Sequence, residues 1–175
     1  DVGQWNLARQ HLPGGVSASA RVHRGLGRPV YFSRAAGSKL YGLDGREYVD
    51  LCTSFGAALL GHAHPAVAAA VHRAVELGIL CAGETEWHAR LAATIAAHVP
   101  SMEMVRFALS GTETTAYAVK LARDATSRPL VVKFEGHFHG YNDALAYNYW
   151  PGRAEAWPAL TPAMRGTTAS GREGV

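Results

Sequence analysis

The sequence predicts an α/β fold in which a small antiparallel meander is followed by helices and then by the opening of a parallel sheet. Three observations predict it. Residues 29–51 hold three short β-rich runs separated by glycine-containing turns. Residues 64–100 carry two helical patterns, each punctuated by proline or glycine. Residues 103–136 read strand, helix, strand, a unit of about 30 residues whose crossover is expected to be right-handed in a parallel sheet.

In chain order, residues 2–11 suit a short helix. "LPGGVSASARVHRGLG" (12–27) is rich in Gly and Ser with scattered Arg, which suggests an extended, irregular segment. "PVYFSRAAG", "KLYGLD" and "REYVDL" make the meander, its last turn at Asp44-Gly45. "HPAVAAAVHRAVELG" places Pro65 in a first helical turn, Val67, Val71, Ala74 and Val75 on one face, and Gly78 as the stop. "ETEWHARLAATIAAHVP" repeats the design and ends at Pro100. "EMVRFAL", the helix 112–126 and "PLVVKFEG" then compose the βαβ unit. We expect residues 1–60 to form the helix, extended segment and meander, and residues 61–150 the first part of a larger ligand-binding domain. Residues 151–175, rich in Gly, Pro, Ser and Thr, read as a loop.

Composition allows a globular chain of 175 residues, 48% hydrophobic and 18% charged. The net charge of +3 comes from 14 Arg and 3 Lys against 14 acids, scattered with no basic stripe, so no nucleic-acid footprint is expected. Cys52 and Cys81 have no CxxC partner and read as reduced, buried thiols. The longest apolar stretches fall far short of a membrane span, and the expected location is cytoplasmic.

The chemistry gathers at "LSGTETTAYAVKLARD" (109–124), where a strand turns through Ser-Gly-Thr into a helix. A helix N-terminus has unpaired N–H groups and partial positive charge, so such a corner suits a phosphate. Ser110 or Thr112 capping the helix is the simpler reading of the same residues. In a parallel sheet, ligands collect at the carboxyl ends of strands, where both this corner and "EGHFHG" (135–140) fall. Gly111 and Thr112 would offer backbone N–H groups, Ser110 or Thr112 a hydroxyl, and Phe138 a face for a flat heterocycle.

"PGGVSASAR", "YGLDGREYVD", "LLGHAHPAV", "VPSMEMVRFALSGTETTAYAVKLAR" and "VVKFEGHFHGYNDAL" follow one another in the order and spacing of class III pyridoxal-phosphate enzymes. The chain resembles that family over residues 7–148, and most of all its glutamate semialdehyde aminomutase branch. The resemblance implies an N-terminal portion of the fold type I aminotransferase fold, a homodimer with active sites at the subunit interface, and pyridoxal phosphate as cofactor. It also implies a small-molecule amino donor and acceptor. By motif, Ser110, Gly111 and Thr112 become the phosphate cup. Phe138 matches the aromatic stacked on the cofactor ring, and His139 the histidine beside it. Arg21 matches an arginine that binds the substrate carboxylate, and Phe55 stands where the branch commonly has Trp beside the substrate.

The Schiff-base lysine that the family supplies downstream of FEGxxHG is missing here: Lys39, Lys120 and Lys133 occupy other positions. The chain is therefore expected to be a truncated, inactive portion of a pyridoxal-phosphate aminotransferase or aminomutase, with its C-terminal half missing. Two other classes remain open. One is the inactive half of a split protein, or an interaction module. The other is a metal enzyme built on His62-x-His64 and His137-x-His139, with Glu135 the only nearby carboxylate.

Overall fold

A computed structural model describes residues 2–78 and 82–148. Cys81 and the loop expected at 151–175 lie outside the described residues. The chain divides into two compact units after Glu84, and each is taken by itself.

In the first unit, helix α1 (Val2–His11) runs into a tight turn at Pro13–Gly15. Gly15 is buried with φ +71°, and a Cβ there would clash with the Trp5 ring and stand 2.9 Å from Arg9 Cγ. The irregular stretch after it holds one further short turn, Ser19–Arg21. The expected meander forms as β1 (Phe32–Ala36), β2 (Lys39–Gly42) and β3 (Glu47–Val49), antiparallel in the order β1-β2-β3. Register runs Ala36 to Lys39 across the first pair and Lys39 to Val49 across the second. Cross-strand side chains support it: Lys39 pairs with Glu47 at 2.6 Å, and Phe32 meets Tyr48 edge-on. The Asp44-Gly45 turn closes with Gly45 at φ +80°, a conformation glycine adopts without steric cost.

Helix α2 (Pro65–Glu76) starts at its proline and stops where Leu77 N–H reaches Arg73 O and Gly78 turns at φ +80°. His64 stands at the N-cap, but its side chain makes no capping bond and its buried Nδ1 has no partner among the described residues. Val67 and Val71, with residues 57–61, line an apolar cleft of about 460 Å³. Cys52 is exposed, contrary to the buried thiol expected, because it falls in the loop that follows β3.

In the second unit, α3 (Glu86–His98) ends one residue before Val99-Pro100, and α4 (Gly111–Thr126) ends at Ser127 in the left-handed conformation. The buried hydrophobic residues among those described are Leu145, Ala146 and Tyr147, and Lys133 Nζ donates to the Tyr147 carbonyl. The runs expected as strands on either side of α4 form no ladder among the described residues, where the sheet is the three-stranded meander. Leu109 and Val132 are almost wholly exposed. Parallel strands hold when neighbouring strands and covering helices bury both faces, and the described residues bring neither to these two runs.

Candidate functional site

The corner at α4 is built by local sequence. Ser110, extended at φ −147°, is the N-cap, and its Oγ accepts from Glu113 N–H at 3.2 Å. Glu113 folds back so that Oε2 accepts Leu109 N–H at 2.9 Å, a capping arrangement in the S-x-x-E spacing. Capping is therefore real. It leaves the N–H groups of Gly111 and Thr112 with no partner among the described residues. Two open donors at a positive helix end fit an anion.

The "FHG" loop lies directly on that helix end. Gly140 is buried against Thr112, where a Cβ would stand 2.7 Å from Thr112 Cα, and its φ is +87°. Tyr141 N–H donates to Thr112 Oγ1 at 3.3 Å. One turn further along α4, Thr115 Oγ1 donates to the His139 carbonyl at 2.8 Å. The Phe138 ring, half exposed, meets Tyr141 edge-on at 5.4 Å, and the His137 and His139 rings lie 6.0 Å apart. Ser110, Gly111, Thr112, Phe138 and His139 thus occupy one neighbourhood. Gly140, Tyr141 and Thr115 belong to it too and were missed from sequence. The i, i+3 spacing of Thr112 and Thr115 was the available signal, because it sets both hydroxyls on one helix face.

Arg21 and Phe55 fall in the first unit. Arg21 is exposed, with one N–H donating to Ser17 Oγ at 2.9 Å, and it has no acidic partner among the described residues. Phe55 is 84% exposed and sits within four successive left-handed residues: Thr53 (φ +47°), Ser54 (+53°), Phe55 (+58°) and Gly56 (+88°). The three that carry side chains each cost about 1 kcal/mol or more, so surrounding bonds must hold the turn. Asp50 Oδ1 accepts Cys52 N–H and Thr53 N–H, both at 2.9 Å, and its Oδ2 lies 2.6 Å from His62 Nε2. The His62 hydrogen bond first, then the Thr53 amide, hold the Asp50 carboxyl below the ordinary aspartate range. His62 is thereby engaged. No group of three or more His, Cys, Asp or Glu among the described residues is arranged to hold a metal ion, so the four-histidine reading lacks a site.

The aminotransferase class-III family model matches residues 22–162. The chain belongs to the class-III aminotransferase family. It is 46% identical over 135 residues to a glutamate-1-semialdehyde 2,1-aminomutase of Syntrophus aciditrophicus, covering 77% of this chain and 31% of the relative. An ω-transaminase from Sphaerobacter thermophilus superposes on 99% of this chain and 40% of its own, with TM-score 0.89 and 33% identity. A transaminase solved with PLP bound gives TM-score 0.87 at 30% identity over 99% of this chain and 39% of its own. The architecture is a portion of the fold type I aminotransferase fold, as the motifs implied. The chain spans about a third of the length of the curated relatives it matches. No described helix is long and apolar enough to cross a membrane.

Proposed function

We propose that the whole protein is a pyridoxal-phosphate-dependent aminotransferase or aminomutase acting on an amino-acid-like carboxylate substrate. The single observation that carries the reading is the pair of N–H groups at Gly111 and Thr112, open among the described residues and beside the FHG loop that packs on Thr112. The residues fit the group: those two donors and the Ser110 hydroxyl take the phosphate, and the Phe138 face takes the ring, with His139 beside it. When bound, the cofactor supplies an electron sink that makes hydrogens next to a substrate amine removable. The chain's own contribution is orientation. Close backbone approach at Gly140 sets the loop on the cup, and α4 directs its positive end at the phosphate.

Arg21 supports the carboxylate preference, since its exposed guanidinium keeps donors free for a two-bond fork. Phe55 is placed on the substrate side of the same reading. The partition at residues 60 and 150, a cytoplasmic location, and a homodimer with active sites between subunits belong to this proposal as well. So does the inactivity of these 175 residues by themselves, because Lys39, Lys120 and Lys133 do not stand where the family has its cofactor lysine. The 46% identity to an aminomutase favours that branch. The family membership disfavours a metal enzyme or a bare interaction module.

The test is a cofactor titration of the complete enzyme followed by absorbance. Thr112→Glu sets a carboxylate against the phosphate and fills the cup, and affinity should fall by about two decades, roughly 3 kcal/mol. Unchanged affinity would remove the corner from the cofactor site.

A further inference from the structure

The segment between β3 and α2 is a closed loop with its own internal bonds. Its two ends are tied to the same tight turn between β1 and β2. Asp50 N–H donates to Ser38 O at 2.9 Å, while His62 exchanges two backbone bonds with Gly37, each 2.8 Å. The side chains of these two residues then meet at 2.6 Å, Asp50 being nearly buried and His62 mostly so. Backbone approach there is close: a Cβ on Gly61 would stand 3.1 Å from Gly37 Cα. Inside the loop, Ala58 N–H reaches Thr53 O at 2.9 Å and Gly56 N–H reaches Cys52 O at 3.3 Å. Loops of this kind, compact and with adjoining ends, are frequently functional.

What the loop presents is an aromatic ring on strained backbone. Apolar burial does not hold Phe55 in place, because the side chain is exposed, so its position depends on the bonds at the base of the loop. We infer that Asp50 and His62 are positioning residues: their side-chain bond closes the loop 51–61 and holds its left-handed turn in the one shape that presents Phe55. Asp50 acts twice. One carboxylate oxygen collects the Cys52 and Thr53 amides that lead into the turn, and the other is fixed by His62. The inference rests on the substrate-side role proposed above for Phe55, and extends it from the ring to the pair that aims it.

Two measurements on the complete enzyme with bound cofactor test this. Hydrogen exchange of peptides covering 51–61 should quicken by about tenfold or more in Asp50→Ala, with peptides covering α4 unchanged. In steady-state kinetics the same variant should raise KM for the amino substrate by about tenfold while kcat stays within about threefold. Phe55→Ala should produce the same rise, and combining it with Asp50→Ala should add nothing, because both remove one presented ring. Asp50→Asn keeps an oxygen for the two amides and should recover most of the loss. It also guards against Asp50→Ala failing to fold. Unchanged exchange in 51–61 overturns the clamp. Quickened exchange with unmoved KM, when Phe55→Ala does raise KM, overturns the positioning role. A Phe55→Ala enzyme with ordinary KM overturns the substrate-side reading of that residue, and the inference built on it.

Discussion

The loop from Asp50 to His62 and the corner from Ser110 to Thr112 are both irregular turns that hand the chain to a helix, yet they handle their polar groups oppositely. At the loop, the carboxylate oxygens, the amides of Cys52 and Thr53 and the His62 ring are matched within the unit. At the corner, Ser110 and Glu113 satisfy part of the helix end, and Gly111 and Thr112 leave two N–H groups open among the described residues. Bonds gathered on one nearly buried carboxylate fix a shape; open N–H groups at the positive end of a helix present a charge-complementary surface. The first suits positioning and the second suits binding.

The contrast can be broken first at the corner. Gly140→Ala forces a Cβ against the Thr112 backbone at a residue whose φ is +87°. Strain and overpacking together should cost about 3 kcal/mol, read as a lowered Tm and a matching loss of cofactor affinity. Hydrogen exchange over 51–61 should stay as in the parent, since the substitution leaves the loop's own bonds untouched.

Arg21 sharpens the comparison, because it keeps spare donors as the corner does while lying in the unit of the closed loop. Arg21→Ala in the complete enzyme should raise KM for carboxylate-bearing amino donors by one to two decades, about 1.5–3 kcal/mol, with little change for plain amines. Equal effects on both donors would take Arg21 out of substrate binding.

The smallest effect is the loop's response to acid. Asp50 is held below its ordinary range by His62 and the Thr53 amide, so its contribution to stability is complete above the unfolded aspartate value, about pH 4. It is lost as pH falls through the lower native value. Tm measured against pH should therefore show the parent and Asp50→Asn converging in acid and fully separated above about pH 4. A constant separation would mean that charge on Asp50 does not matter to the loop.

Local signals carried much of this fold in the sequence. Pro65 and Gly78 bound α2, Ser110 and Glu113 start α4, and Asp44-Gly45 turns the meander, each acting on neighbours a few residues away through sterics or a short hydrogen bond. The motif order also carried the family, because four of its five motifs lie in register within the stretch that the class-III model matches. Only the tertiary structure decided what meets across longer separations. Gly140 lies on Thr112, Asp50 closes on His62, His64 leaves its N-cap role unfilled, and the apolar runs flanking α4 form no ladder among the described residues. Each depends on which distant segment arrives to bury a surface or accept a proton. Hydrophobic and β-branched residues declare a readiness to pair, but the ladder forms only when a neighbouring strand is placed beside them.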